Sequence, residues 1–134
     1  MVELDADSIR ISLHVLAVSV WIGGQLIMAA LVPVLRVAGP EVPRQAANRF
    51  GRVAWPFFAL AVLTGLWNLV ELDFDGLETS YHVTLGIKML AVAVSGGAAA
   101  VHSLTNSPRL RALTGALALV AALAALFLGV LLVT

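Results

Sequence analysis

The sequence contains no cysteine and little charge, and each shortage excludes a class of protein. Without cysteine the chain can form no disulfide, no thiolate metal site and no thiol redox centre. Only 12% of its 134 residues are charged, whereas a soluble domain normally carries about 25% because its surface faces water. Hydrophobic residues make up 60% of the chain. The composition therefore predicts an integral membrane protein.

Four apolar stretches are each long enough to cross a bilayer, which takes ~20 residues as a helix. The chain is therefore predicted to be all-α, a polytopic membrane protein whose single domain, residues 1–134, is a bundle of four transmembrane helices. These helices are predicted at about residues 8–37, 43–71, 80–105 and 107–133. Ser107 and Pro108 suit the N-cap and the first position of the fourth helix. The rest of that helix is almost entirely aliphatic, so we expect it to act as a wall.

The charged residues are unevenly distributed, and their distribution predicts the orientation of the chain. Basic residues are retained on the cytoplasmic side of a membrane. The first and third loops are basic, with Arg36, Arg44, Arg49, Arg52, Arg109 and Arg111. The N-terminus and the second loop are mainly acidic, with Glu3, Asp5, Asp7, Glu71, Asp73, Asp75 and Glu78. We therefore predict an N-out/C-out protein of the cytoplasmic membrane.

A few polar or metal-ligating side chains fall inside the predicted helices, where such groups are costly and usually functional. They are His14, Trp21, Gln25, Asn68, His82, Lys88 and Met89. His14 and His82 lie in similar segments, Ser-Leu-His-Val and Ser-Tyr-His-Val, near the start of two helices that run in the same direction. If the first and third helices face each other, these residues line one polar pocket that opens outward.

The residues alone leave the ligand of this pocket open. Neutral imidazole binds copper, zinc and haem iron. His14 and His82 with Met89 nearby would suit copper, whereas the two histidines with Arg10 and Lys88 meeting the propionates would suit b-type haem. Structural interpretations also exist, because His82 suits an interface anchor and Lys88 a side chain that snorkels to the headgroups.

No catalytic motif is found in the sequence. It has no zinc-protease motif, phosphate-binding loop, nucleophile elbow or nucleic-acid-binding patch. The basic loops are explained by topology and by contact with anionic lipid. We therefore assign no catalytic residue, find no motif that indicates an enzyme, and expect the lipid bilayer rather than nucleic acid as a partner.

Short motifs along most of the chain resemble one membrane family. They are His14 followed by Trp21-Ile22-Gly23-Gly24, Val32-Pro33-Val34-Leu35-Arg36, Asn48-Arg49-Phe50-Gly51-Arg52-Val53-Ala54, Leu63-Thr64-Gly65-Leu66-Trp67 and Leu85-Gly86-Ile87-Lys88. This pattern resembles the CopD-like copper resistance membrane domain. The resemblance implies copper handling, by binding or transport, in a bacterial or archaeal cytoplasmic membrane.

The leading hypothesis assigns roles to the polar residues on this basis. His14 and His82 would take copper at the outer face, with Met89 as a third ligand. Pocket or gating residues would be Lys88, Gln25, Asn68 and Trp21. Longer members of the family have additional helices, so this chain is expected to work as a homo-oligomer or with a membrane-protein partner, and to receive metal from an extracytoplasmic donor.

Two alternatives remain. The chain is more distantly similar to HemJ, a four-helix protoporphyrinogen oxidase family with a first-helix histidine and a third-helix lysine, which His14 and Lys88 match. That resemblance implies a b-type haem redox protein with His14 as an axial ligand. It ranks second because residues 25–35 lack the tyrosine and arginine typical of that family. The other alternative is a structural or assembly subunit of a membrane complex.

Overall fold

All four predicted helices are present in the computed structural model, which describes residues 4–134. The helices are α1 (Ala6–Ala38), α2 (Val42–Val70), α3 (Thr79–Leu104) and α4 (Pro108–Leu131), with a short 3-10 turn at Phe74–Gly76. Each of the four is long and apolar enough to cross a membrane. No strand occurs in the described part of the chain. The prediction of an all-α, four-helix membrane protein is confirmed.

Local capping determines where two of the helices begin. α1 starts two residues before the predicted Ser8 because the Asp5 carboxylate caps it, accepting a 2.7 Å hydrogen bond from the Ser8 amide. α4 begins as the sequence predicts. The Ser107 hydroxyl accepts a 3.3 Å hydrogen bond from the Leu110 amide, and Pro108 occupies the first turn.

The chain divides into two compact units, residues 1–72 and residues 73–134. The first unit is a hairpin of α1 and α2, and the second is a hairpin of α3 and α4. Each is described below by itself. That the four helices form one bundle stays a prediction.

The α1–α2 hairpin is held by aromatic and small residues. Trp21 is buried, and its ring centroid lies 4.4 Å from that of Phe58 and 5.3 Å from that of Trp55. The Phe50 ring occupies the place that a Cβ atom on Gly24 would need. Close approach of this kind between membrane helices requires a residue without a side chain at the contact point. The hairpin is therefore packed around one aromatic cluster.

The α3–α4 hairpin has a polar contact at its centre. The Ser95 hydroxyl is almost fully buried and donates a 2.8 Å hydrogen bond to the Ala118 carbonyl oxygen of α4. Lys88 lies seven residues before Ser95 and His102 seven residues after it. A spacing of seven residues returns to nearly the same face of a helix. These three side chains therefore form one polar stripe along α3.

Candidate metal-binding histidines

His14 lies in the α1–α2 hairpin, near the N-terminal end of α1. Its Nδ1 atom is 2.8 Å from the Thr64 hydroxyl of α2. That hydroxyl has one proton, which points to the Leu60 carbonyl oxygen at 2.7 Å, so the imidazole Nδ1–H must be the donor to Thr64. In the neutral ring this tautomer places the lone pair on Nε2. The hydrogen bond thus indicates the tautomer of His14 in which Nδ1 carries the proton.

His82 lies in the first turn of α3 and is exposed. Its Nδ1 atom is 3.0 Å from the Glu78 carbonyl oxygen. A carbonyl oxygen can only accept, so Nδ1 carries the proton and the neutral ring has its lone pair on Nε2. The ring also lies near Phe74, with 6.0 Å between centroids. His82 therefore presents the same nitrogen as His14.

His102, at the other end of α3, is a residue that the sequence did not single out as part of a site. In the structure it is half-buried, and Nδ1 donates a 2.7 Å hydrogen bond to the Arg111 carbonyl oxygen of α4. The ring lies directly over Gly115. All three histidines are thus anchored through Nδ1.

Lys88 and Met89 lie about two turns after His82 on α3. Lys88 is half-buried, and its ammonium lies beside Gly129 in the last turn of α4. The carboxyl end of a helix carries a partial negative charge, which favours a cation there. Met89 is 38% exposed.

The side chains of Thr84 and Tyr81, before Lys88, line a groove of about 340 Å³ between the start of α3 and the end of α4.

Three predicted pocket residues lie in the α1–α2 hairpin. The Gln25 amide donates a 3.0 Å hydrogen bond to the Trp21 carbonyl oxygen of its own helix. Trp21 belongs to the aromatic cluster described above, so its ring has a packing role. Asn68 is half-buried and follows Thr64 by one turn on α2. Thr64 and Asn68 thus lie on one side of α2, and the structure shows that Thr64 contacts His14.

Arg10 is buried one turn before His14 and is the centre of a charged cluster. Its Nη1 atom is 3.1 Å from Asp7 Oδ1 and 3.9 Å from Glu71 Oε1. Its guanidinium carbon lies 5.9 Å from the centroid of the Trp67 ring, whose Nε1–H donates a 3.2 Å hydrogen bond to Glu71. Arg10 therefore ties the start of α1 to the end of α2 through carboxylates of this chain.

Within residues 4–134 no three His, Asp or Glu side chains are grouped so that together they could hold a metal ion. Each of the three histidines has one ring nitrogen anchored by a hydrogen bond.

A protein-family model described as copper resistance protein D matches residues 44–134. The match covers about two thirds of the chain, including nearly all of α2 and the whole of α3 and α4. His82, Lys88 and Met89 lie within it, whereas His14 lies before it. No curated protein and no solved structure matches the chain.

Proposed function

The chain belongs to the copper resistance protein D family, and from this premise we propose that it binds or transports copper through His14 and His82. Membership of the family, together with four helices able to span a membrane, makes it a multi-pass membrane protein related to copper resistance. The proposal adds the residues, the membrane face and the role of the metal as cargo.

The observation that carries the proposal is that both imidazoles are anchored through Nδ1. Each donates Nδ1–H to an oxygen acceptor, Thr64 for His14 and Glu78 for His82. Metal-ligating histidines almost always make such a second hydrogen bond, which fixes the tautomer and strengthens the other nitrogen as a ligand. Imidazole nitrogen is a good ligand for copper. Both residues are therefore prepared to bind a metal through Nε2.

Met89 and Lys88 support a deeper step of the same process. Met89 follows His82 by seven residues, which places it on the same face about 10 Å further along α3. Its thioether is a soft ligand of the kind that selects monovalent copper. The Lys88 ammonium lies at the same level and repels cations, so we propose that it gates passage beyond Met89. Gln25, Asn68 and Trp21 would shape the pocket around His14.

We propose an N-out/C-out orientation in a bacterial or archaeal cytoplasmic membrane. His14 follows the first residue of α1 by eight positions and His82 follows that of α3 by three, depths of about 12 and 5 Å along the helix axes. If every helix crosses the bilayer, both histidines lie near the outer face. Arg36 in the last turn of α1 and Arg44, Arg49 and Arg52 in the first part of α2 are exposed, as the inner position requires.

Partners are part of the proposal as well. A chain of four helices offers few copper ligands, so we propose that it works as a homo-oligomer or with another membrane protein. An extracytoplasmic protein would deliver the metal to the outer histidines. The chain's own contribution would be a pair of imidazoles that accept copper and release it.

The proposal is tested by purifying the protein in a mild detergent and recording its absorption spectrum together with its metal content. We expect no Soret band, and copper that is retained or bound on titration with monovalent copper. A Soret band with bound iron would contradict the proposal and support a haem protein. A colourless protein that binds no copper would contradict it in favour of a structural subunit.

Substitutions then test the residues. We expect His14→Ala and His82→Ala each to reduce copper binding strongly while the protein still folds, because each removes one Nε2 ligand. His102→Ala removes the imidazole at the other end of α3 and serves as the matched control, with binding retained. Unchanged binding in both outer variants would refute the site assignment.

A further inference from the structure

Three glycines of the helix hairpins each lie against an ionisable side chain of the paired helix. A Cβ atom added to Gly65 of α2 would stand 3.3 Å from His14 Cε1. One added to Gly115 of α4 would stand 2.9 Å from His102 Nδ1, and one added to Gly129 would stand 3.2 Å from Lys88 Nζ. Real Cβ atoms rarely approach other atoms this closely. The missing side chains therefore make room for these particular groups.

Two of these contacts repeat one arrangement in both hairpins. Gly65 follows Thr64, whose hydroxyl bonds to the carbonyl oxygen four residues before it at 2.7 Å and to the one three residues before it at 3.2 Å. Gly115 follows Thr114, whose corresponding distances are 2.7 and 3.4 Å. Both threonines are buried. In each hairpin a Thr-Gly pair therefore faces a histidine of the other helix.

The two histidines donate to different kinds of acceptor beside their Thr-Gly pairs. The acceptor is a side-chain hydroxyl in one hairpin and a backbone carbonyl oxygen in the other. His14 donates to the Thr64 hydroxyl itself at 2.8 Å. His102 donates at 2.7 Å to the Arg111 carbonyl oxygen, which the Thr114 hydroxyl also contacts at 3.4 Å. In both cases the glycine lets the ring come close enough for a short hydrogen bond. For His14 the acceptor and the space come from the adjacent residues Thr64 and Gly65, whereas for His102 they come from Arg111 and Gly115, one turn apart on α4.

We infer that Thr64-Gly65 and Thr114-Gly115 are histidine seats, pairs of residues on α2 and α4 whose purpose is to position His14 and His102. Gly65 and Gly115 are thus positioning residues, not merely points of close helix packing. The contacts alone support the seats, whereas a role of His14 in binding copper rests on the proposed function. Within its own hairpin, Thr64-Gly65 lies at the end away from the connecting loop, whereas Thr114-Gly115 lies at the end next to it.

The glycine contacts differ in how readily the neighbour could move. Near Gly129 the contacting atom is the end of a long, flexible lysine side chain, so an added methyl group is easily accommodated. Near Gly65 and Gly115 the contacting atoms belong to a rigid ring whose position is fixed by a hydrogen bond. Displacing the ring must lengthen that bond, and hydrogen bonds weaken steeply outside their normal geometry. The strongest effect is therefore expected at Gly115, where the contact is shortest.

The experiment is a double-substitution cycle on the metal-free protein in detergent. Gly65→Ala is measured in the native chain and in a His14→Ala background, and Gly115→Ala in the native chain and in a His102→Ala background. Overpacking against the ring is expected to lower Tm by roughly 5 °C in the native chain. Removing the ring should abolish that loss, because the methyl group then fills vacated space. The cycle isolates the coupling between the two positions.

Gly23→Ala and Gly97→Ala are the matched controls, because nothing lies within 4 Å of a Cβ atom at either position. Neither should lower Tm. If Gly115→Ala does not fold, the added His102→Ala change is expected to restore folding. An equal loss in both backgrounds, or no restoration, would overturn the inference and leave ordinary helix packing as the role of these glycines.

A spectroscopic measurement gives a second test that simple packing would not affect. The chain has three histidines, so selective ¹⁵N labelling of their rings gives few signals, each assigned by its loss in the corresponding alanine variant. Gly65→Ala should shift the signals of His14 alone, and Gly115→Ala those of His102 alone. Unshifted ring signals in a folded variant would overturn the inference. Because no copper is present, this result is independent of the proposed copper binding.

Discussion

Replacing Thr64 with valine tests whether the hydrogen bond to His14 prepares that residue to bind copper. Valine has nearly the shape of threonine, so the substitution removes the acceptor without opening a cavity. Thr64 is 3% exposed, and its hydroxyl is 2.8 Å from His14 Nδ1. The change should cost about 0.5–1.5 kcal/mol of stability. Loss of the second hydrogen bond of a metal-ligating histidine typically weakens metal binding about 10- to 100-fold.

The affinity is measured by competition with a chromophoric chelator of monovalent copper, using protein in detergent. A 10- to 100-fold loss corresponds to roughly 1.4–2.7 kcal/mol of binding free energy. Thr114→Val is the matched control. Thr114 is also buried and makes the same bond to a carbonyl oxygen four residues before it, at 2.7 Å, but it faces His102. Thr114→Val removes a similar hydrogen bond within its helix, and we expect it to leave the affinity for copper unchanged.

Two results would refute this reasoning. If Thr64→Val bound copper as tightly as the native protein, the hydrogen bond would have no part in preparing His14. If Thr114→Val weakened binding to the same extent, the effect would come from general disturbance of the helices. Only a loss confined to Thr64→Val agrees with the geometry.

Three further predictions concern the ends of the helices and the loops. Arg10→Gln should lower the free energy of unfolding by about 1–2 kcal/mol, because it removes the buried guanidinium that contacts two carboxylates and the Trp67 ring. Thermal unfolding in detergent measures the loss, and an unchanged Tm would contradict the prediction. Hydrogen bonds from Ser8 lower the pKa of the Asp5 carboxyl below its ordinary value of 3.8, so its capping contribution is complete above that value and is lost as the pH falls through the lower folded-state pKa. Faster exchange of the Ser8 amide in acid, absent in Asp5→Asn, would show this; equal rates in both would refute it. Because the chain has no cysteine, single cysteines label cleanly: Asp73→Cys should react with an impermeant reagent from outside and Gln45→Cys only after lysis, and the reverse pattern would refute the N-out/C-out orientation.

The helices could be predicted from the sequence because each of their signals is local. Twenty or more apolar residues in succession identify a span wherever its neighbours lie. The Ser107-Pro108 start depends only on residues next to each other, and it is confirmed. α1 begins two residues before the predicted position because the Asp5 carboxylate caps it.

Contacts between helices could be predicted only in part. The sequence marked His14 as a site residue without a partner, and the structure shows that it is hydrogen-bonded to Thr64. It did not reveal that Gly65 accommodates the same ring, because a glycine has no side chain from which a role can be inferred. For the same reason α4 was expected to be a plain wall, although Gly115 and Gly129 lie against His102 and Lys88. Their roles depend on what the paired helix places opposite them.

We propose that the anchored imidazoles serve the transfer of copper and not its storage. On this proposal an arriving ion would be held by one or two imidazoles at a time, those of His14 and His82. A permeation pathway needs binding that is favourable enough to admit an ion and weak enough to release it. A ring held through Nδ1 can bind an ion without prior reorganisation. An ion held by only one or two imidazoles dissociates readily, so anchored histidines meet both needs. We therefore expect copper to leave the native protein quickly on addition of a competing chelator, whereas slow release would indicate a closed storage site.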